Sequence, residues 1–363
     1  MKKALPVVAL LLCLHFPLAA DSLPPLPEPV SNNAVATLKS HGDWVLYSLM
    51  GIGSARTWDA ITSKAFISEA GLEKWYPLRQ VPGTAGRIAA VAAGVHDHVY
   101  LLGGYVADAS GRAQAVPDVN IFDPGTEHWL RGSDMPVPVG DTVLGVYRDR
   151  YIYLVGGRSN QGEVASVQLY DSEKGKWQQA TPMPAAIFGH AGALVDDTII
   201  YIDGAYVDRS GPQPKLVMSD QCWMGKIDHH DPARIQWSKI SSHPGPARYR
   251  IAAGASDKDD KIYFSGGSAE PYGYKGIGYE GKAVEPSPVT FDFDLRTGKW
   301  ETINPNTPNP VMDEHQLLVF PDALVLLGGI DKGQQISSRA TILSKEPPKP
   351  APAPAAKPTP PAK

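Results

Sequence analysis

The chain has 363 residues, 43% of them hydrophobic and 20% charged, which is long enough for one large globular domain or two modest ones. Without two lysines near the N-terminus and a lysine-rich C-terminal end, residues 21–344 carry a net charge of −9. Such acidity argues against a nucleic-acid partner. Cys222 is the only cysteine beyond residue 20, which excludes an intramolecular disulfide.

The N-terminal residues 1–20 have the order of a secretory signal. Lys2 and Lys3 precede an apolar run over 4–14, and two small residues end the segment at Ala20. We therefore expect cleavage after Ala20 and a periplasmic or secreted protein. No later stretch contains the roughly eighteen apolar residues of a membrane span, so none is expected.

An internal repeat begins near residue 99, where apolar segments run into glycine at regular intervals. Five segments share this form: VYLLGGY (99–105), IYLVGGR (152–158), IYIDGAY (200–206), IYFSGGS (262–268) and LVLLGGI (324–330). A column of tryptophans accompanies them: Trp75, Trp129, Trp177, Trp237 and Trp300. From each tryptophan to the next glycine pair the distance is 29, 28, 27, 30 and 29 residues. The chain is therefore predicted to repeat one four-stranded unit.

An aromatic residue followed by Asp precedes three of these tryptophans, at 122–123, 170–171 and 293–294. An Asp in this place opens a tight turn by accepting a bond from the backbone two residues on. Each unit is thus predicted to end in a hairpin whose last strand carries the tryptophan.

This pattern resembles the kelch repeat over nearly all of residues 32–344. The resemblance implies an all-β fold, a six-bladed kelch-type β-propeller over 21–344. The first blade is degenerate, with Gly51 and Gly53 in place of the glycine pair, and the sixth shows three strands. We expect an N-terminal strand within about 24–34 to supply the fourth and close the ring.

Loops that join the second strand to the third, or one blade to the next, share one face of such a propeller. Extra length gathers there in the fourth and fifth blades, each with 33 residues between glycine pair and tryptophan. The fifth-blade insertion, 268–288, carries Tyr272, Tyr274 and Tyr279 among glycines. It is interpreted either as a sugar-binding loop, whose rings cover C–H surfaces, or as a loop that packs on itself.

The innermost strand of each blade begins on the same face, beside the channel mouth. The residues assigned to these starts form a candidate ligand-binding ring: Arg87, Asp141, His190, Arg250 and His315, with Glu314. Arg87 and Arg250 together would suit a carboxylate. The alternative is that Arg87, Arg250 and Asp141 pair with one another or with backbone carbonyls and close the channel.

Two further segments have simple interpretations. Asp228, His229, His230 and Asp231 are adjacent on an irregular loop, where side chains rarely converge on one ion, so a solvated turn is expected and no metal. Residues 345–363 are rich in proline, alanine and lysine and predict a disordered, extended tail, either a plain spacer or a tether to an envelope component.

Among kelch proteins the chain resembles the periplasmic N-acetylneuraminate epimerases, the sialic acid mutarotases, best over IYFSGGSAEPYGYKGIGYEGK (262–282). The resemblance implies a glutamate after the glycine of the fourth blade with an arginine beyond it. Ala205 takes the place of that glutamate, and Arg209 follows at a different spacing. The catalytic residues are therefore left unassigned; Asp203, His190 and Glu314 are candidates for a replacement base.

Three functions stay open: a propeller that binds a sugar or glycan, including an acidic sugar, with or without mutarotase activity; an envelope protein-interaction module; and an enzyme of other chemistry on the same face. No cofactor is expected. Galactose oxidase, a related propeller class, needs copper and a cysteine-linked tyrosine, and no pair of histidines here has the matching context. The protein is expected to be a monomer.

Overall fold

The fold is all-β. The structure, a computed structural model, describes residues 23–40, 42–69 and 74–347, so the predicted signal and the tail beyond Pro347 lie outside the described residues. The main sheets are antiparallel, and their first strands contact one another in a closed cycle, the sixth meeting the first. This confirms the predicted six-bladed β-propeller. Within the described ranges no helix is long and apolar enough to span a membrane.

Each of the first five blades has four strands, and the sixth has three. From the channel outward, blade 1 has Ala34–Ser40, Asp43–Leu49, Ala65–Glu69 and Tyr76–Pro77, and blade 2 has Val91–Val95, His98–Leu102, Val119–Asp123 and His128–Arg131. Blade 3 has Val143–Tyr147, Tyr151–Val155, Val167–Asp171 and Lys176–Ala180, and blade 4 has Ala191–Val195, Thr198–Ile202, Cys222–Ile227 and Ile235–Lys239. Blade 5 has Ala252–Ser256, Lys261–Ser265, Thr290–Asp294 and Lys299–Asn304, and blade 6 has Leu318–Val319, Ala323–Leu327 and Ala340–Ser344.

Three short hairpins lie outside the blades, on the loops after the glycine pairs of blades 2, 3 and 4. Their strands are Tyr105–Ala107 with Ala113–Ala115, Arg158–Ser159 with Gly162–Glu163, and Ala205–Asp208 with Lys215–Met218. One short 3-10 helix, Trp58–Ala60, occupies the corresponding loop of blade 1.

The tryptophans join neighbouring blades as well as fill space. The five indole nitrogens donate hydrogen bonds to backbone carbonyls of the preceding connection: Pro24, Arg79, Ser133, Thr181 and Ser241. The aromatic partner of the Asp pair packs on the ring, as Phe293 does on Trp300 at 4.6 Å between centroids. Asp294 accepts the N–H of Arg296, two residues on, so the predicted turn is confirmed.

The second glycine of each pair, or the single glycine at that position in blades 1 and 4, forms the hydrogen bond that joins consecutive blades. Its N–H donates to a backbone carbonyl at the start of the next blade: Gly51 to Arg87 (3.0 Å), Gly104 to Val139 (2.9 Å), Gly157 to Ile187 (2.9 Å), Gly204 to Arg248 (3.3 Å), Gly267 to Val311 (3.3 Å) and Gly329 to Val30 (2.9 Å). All six glycines have positive φ, which other residues rarely adopt. The bond from Gly329 closes the ring.

The N-terminal segment closes the ring without forming the expected fourth strand of blade 6. The N–H groups of Leu26 and Val30 donate to the carbonyls of Ser338 and Ser337, and no strand is present in the described residues before Ala34. Residues 24, 25, 27 and 29 are proline, which has no N–H to donate, so a regular ladder cannot form. The prediction of closure is confirmed and that of a strand is wrong.

We expect Gly104→Ala to lower the free energy of unfolding by about 2–4 kcal/mol. Gly104 has φ +89, and an added Cβ would lie 2.7 Å from the Ile88 carbonyl oxygen and 2.8 Å from the Ala90 nitrogen. The measurement is a urea unfolding curve. Gly298→Ala is the matched control because φ is +66 there but nothing lies within 4 Å; it should cost about 1 kcal/mol. Equal losses would show that the close approach to Ile88 and Ala90 is not the cause.

Candidate functional site

A ring of left-handed residues surrounds the channel mouth, one before each innermost strand. Their φ values lie between +51 and +70 at Asn32, Ala89, Asp141, Gly189, Arg250 and Asp313. Backbone N–H groups link several of them around the ring, as Arg250 does to the carbonyl of Gly189. The residues of this ring are not all those that the sequence predicted for it.

Only Asp141 and Arg250 of the predicted ring occupy equivalent positions. Arg87 lies two residues before its ring position, His190 one after, and Glu314 and His315 one and two after. Because alternate residues of an extended chain face opposite ways, an offset of one residue changes what a side chain meets. The sequence located the strand starts only to within about two residues.

Arg250 is saturated by two carboxylates. Its Nε and Nη2 donate to Asp141 Oδ1 and Oδ2 at 2.8 and 3.0 Å, and its Nη1 donates to Asp313 Oδ1 at 2.7 Å. All three side chains are buried. The guanidinium also lies 5.0 and 5.3 Å from the ring centroids of Tyr249 and Tyr272. Arg250 therefore holds the mouth together and has no fork left for a ligand carboxylate.

The pKa values of the two carboxyls in this cluster, Asp141 and Asp313, are shifted in opposite directions. Burial disfavours the charged form of Asp141, but Arg250 and His315 outweigh it and hold the pKa of Asp141 below its usual range. Burial dominates at Asp313 and, with the charge of Asp141 nearby, raises its pKa despite Arg250. Asp141 is thus the firmly ionised partner of the arginine.

Arg87 is buried in the second blade, away from any mouth. It donates to the carbonyls of Gly103 (2.9 Å) and Asp118 (3.2 Å) and to Asn120 Oδ1 (2.6 Å). Burial lowers the pKa of Arg87 to about 10, which leaves it charged at neutral pH. Both Arg87 and Arg250 are therefore bonded to groups of the protein itself, which is the arrangement given above as the alternative to a carboxylate clamp.

The two histidines and Glu314 are also enclosed. His190 Nε2 bonds the Val155 carbonyl at 3.0 Å, and His315 Nε2 lies 3.6 Å from Asp141 Oδ1. Burial lowers the pKa of each histidine to about 4, so both are neutral at pH 7. Burial, together with Asp313, raises the pKa of Glu314 well above its usual range, and its carboxyl oxygens have no hydrogen-bond partner among the described residues.

A cleft of about 740 Å³ opens at the channel mouth. Its walls are the three hairpins of blades 2, 3 and 4 and part of the fifth-blade insertion. It is lined by Ile88, Tyr105, Val106, Ala107, Asp108, Arg112, Ala113, Gln114, Asp141, Arg158, Ser159, Asn160, Gln161, Gly162, Glu163, Phe188, Val207, Arg209, Tyr249, Arg250, Gly273, Tyr274 and Tyr279.

The three tyrosines of the fifth-blade insertion occupy two kinds of position. Tyr272 is fully buried edge-on to Tyr249, with 5.4 Å between centroids, and does not line the cleft. Tyr274 and Tyr279 do line it. The loop reaches blade 1, where Arg56 Nη1 donates to the Lys275 carbonyl at 2.7 Å. The insertion therefore packs on the propeller and also contributes a wall of the cleft, and its interpretation as a sugar-binding loop stays a prediction.

Sequence reasoning missed three cleft residues: Arg112, Arg158 and Tyr249. Arg158 is exposed, forms no ion pair with any described residue, and lies 5.2 Å from the Phe188 ring centroid. Arg112, in a hairpin turn, likewise has no ion pair within the described part of the chain, whereas Arg209 pairs with Glu163. The buried hydroxyl of Tyr249 has no hydrogen-bond partner among described groups. Arg158 directly follows a glycine pair, a signal that could have found it.

The loop Asp228 to Asp231 forms a turn in which Asp228 Oδ1 accepts the N–H of His230 at 2.8 Å and that of Asp231 at 3.2 Å. His229 lies 3.1 Å from Asp197. The loop joins the third and fourth strands of blade 4 and contributes none of the walls of the cleft.

The family model for the kelch motif matches residues 145–184, most of blade 3. Kelch-like protein 15 of Gallus gallus is 34% identical over 116 residues, 32% of this chain and 23% of that protein. Beta-scruin of Limulus polyphemus is 28% identical over 228 residues, 60% of this chain and 23% of its own length. The chain thus spans about a quarter of these curated relatives.

Among solved structures, the one titled "Structure of YjhT" superposes with a TM-score of 0.68 at 19% identity, covering 88% of this chain and 95% of that one. At this identity the likeness concerns the fold. Together with the matched motif and the six blades, it describes a kelch-type propeller.

We expect Arg250→Met to lower the free energy of unfolding by about 3–5 kcal/mol, because it leaves Asp141 and Asp313 buried without their cation. Arg158→Met should change it by less than about 0.5 kcal/mol, since that guanidinium is exposed and unpaired. Denaturant unfolding at pH 7 measures both. A small loss in Arg250→Met would contradict the structural role given to this cluster.

We expect the free energy of unfolding of His190→Gln to fall less than that of the wild type when the pH is lowered from 7 to 4.5. The unfolded chain takes up a proton at this histidine below about pH 6.5, while the folded state stays neutral down to about pH 4, so wild-type stability is lost as pH falls through that window. Between pH 7 and 4.5 the variant should gain about 2–3 kcal/mol on the wild type. If the unfolding free energies of variant and wild type changed equally across this range, His190 would not be buried in its neutral form.

Proposed function

We propose that the protein binds a carboxylated sugar in the cleft formed by the three hairpins and the tyrosine loop. The observation that carries the proposal is Arg158, a cation without a carboxylate partner, placed over the Phe188 ring in the cleft wall. A guanidinium fork matches a ligand carboxylate in two-point contact. The buried Tyr249 hydroxyl in the same cleft has no partner and would take a sugar hydroxyl.

The charge of the cleft supports an anionic ligand. Of the four arginines that line it, Arg250 and Arg209 are paired with carboxylates, whereas Arg158 and Arg112 form no ion pair with a described residue. Two exposed cations on one cleft wall attract ligands of negative charge. Tyrosine rings on the wall suit the C–H faces of a sugar.

Binding without acid–base catalysis fits the titratable groups of the cleft best. Its carboxyls, Asp108, Asp141 and Glu163, all have a pKa held below the usual range: by the Ser110 hydroxyl at Asp108, and by arginine, against the effect of burial, at the other two. A general base works best with a pKa near the working pH. Together with Ala205 in the place of the glutamate that the mutarotase resemblance implies, this favours a sugar-binding protein over a mutarotase.

The signal-like residues 1–20 support a place for this binding outside the cytoplasm, in the periplasm or medium. The second candidate function is protein binding. It is favoured by exposed Trp58, Tyr206 and Ile277 on the loops of the same face.

Calorimetric titration of the purified protein with N-acetylneuraminate, galacturonate and neutral galactose tests the proposal. At least one acidic sugar should bind more tightly than galactose, and Arg158→Gln should weaken its binding about tenfold or more, because a charge-assisted bond is lost. Arg148→Gln, on the opposite face, is the control and should leave affinity unchanged. NMR exchange between the anomers should show no acceleration by the protein.

Two outcomes would contradict the proposal in different ways. No binding of any acidic sugar, or binding unaffected by Arg158→Gln, would exclude the cleft as a sugar site and favour a protein partner. Tight binding with accelerated anomer exchange would keep the site and overturn the assignment of binding without catalysis.

A further inference from the structure

We propose, on the basis of the proposed function, that the natural ligand is an acidic oligosaccharide with carboxylates on successive residues, and not a single sugar. Its terminal residue would meet Arg158 and Tyr249, and the next acidic residue would meet an outer subsite formed by Arg112 and Tyr279. The inference rests on a second exposed arginine, which lies near Asp108 of its own turn but forms no ion pair within 4 Å in the described part of the chain, and on an exposed aromatic ring in the same cleft.

The two free arginines lie at different places on the cleft wall. Arg158 opens the blade 3 hairpin directly after Gly157, at the body of the propeller. Arg112 lies in the turn of the blade 2 hairpin, which extends from the body. Ala115 donates to Asn160 Oδ1 of the blade 3 hairpin, and Arg112 lies three residues further along its hairpin, about 10 Å of extended chain. We therefore assign the two guanidinium groups to two different carboxylates.

The turn that carries Arg112 has a fixed shape. Asp108 Oδ1 accepts the N–H of Ser110 at 2.9 Å and that of Arg112 at 3.1 Å, and the Asp108 carbonyl accepts the N–H of Gly111 at 2.8 Å. The backbone at Arg112 is therefore positioned before any ligand arrives, which reduces the entropy lost on binding.

Tyr279 supplies the aromatic surface. It lines the cleft with 58% of its surface exposed, the largest exposure among the big apolar side chains described. Its loop meets the hairpin of Arg112, since a Cβ at Gly111 would lie 3.0 Å from the Tyr274 hydroxyl oxygen. An exposed ring beside an unpaired cation is suited to a sugar that carries both a C–H face and a carboxylate.

The size of the cleft agrees with a ligand of more than one residue. At about 740 Å³ it lies in the upper part of the range of roughly 300–1,000 Å³ that small-molecule clefts occupy. A single sugar at Arg158 would leave much of this volume, and the whole outer wall, to solvent.

Calorimetric titrations with N-acetylneuraminate, galacturonate and the linear trimer of each test the inference. The trimer of the sugar that binds should bind at least tenfold more tightly than the monomer, beyond the threefold advantage of three equivalent residues. Arg112→Gln and Tyr279→Ala should each bring the ratio of trimer affinity to monomer affinity most of the way back to threefold. Arg148→Gln and Tyr76→Ala are matched controls away from the cleft, Tyr76 being 42% exposed on an outer strand.

The outcomes separate this inference from the proposed function. A trimer that binds no better than the monomer would overturn the inference and leave the sugar site intact. A tighter trimer unaffected by Arg112→Gln and Tyr279→Ala would overturn the outer subsite. Failure of monomer and trimer alike would overturn the inference and the proposed function together.

Discussion

The hydrogen bond from the second glycine of each pair to the start of the next blade is the constraint on which the molecule depends. It recurs at every blade junction, including the closing one from Gly329 to Val30. The bonding glycine has positive φ, and the glycine before it lies so close to the next blade that a Cβ at Gly103 would overlap the Val139 carbonyl oxygen. Glycine spacing therefore dictates how the blades assemble, and the Trp bonds on the outside reinforce the same junctions.

The site follows from this junction. The chain leaves each glycine pair at a fixed point on one face, so the residues that come next, such as Tyr105, Arg158 and Ala205, begin the hairpins that wall the cleft. A rigid junction below short hairpins gives side chains defined positions without a large core of their own. Variation in these loops alters the site at little cost to the ring.

Two of the buried charges at the channel mouth, Asp141 and Arg250, also line the cleft, but their mutual bonds leave Arg250 no fork for a ligand. Arg250 is surrounded by Asp141 and Asp313, and neutral His190 and His315 occupy the neighbouring wall. A network of this kind is costly to break, because each member left alone would be an unpaired polar group in a dry environment. A ligand is thus expected beside the mouth, where Arg158 is still free.

The sequence by itself determined the all-β class, the six units, the turn at each aromatic-Asp pair and the face on which long loops gather, because these depend on residue spacing and on the local chemistry of glycine, proline and aspartate. It did not determine which arginines are free. Arg87 and Arg250 were assigned to strand starts as ligand-binding residues, yet the first bonds backbone carbonyls and the second bridges residues 109 and 63 positions away. Only the closed ring brings such distant partners together, and a side chain's availability depends on those partners.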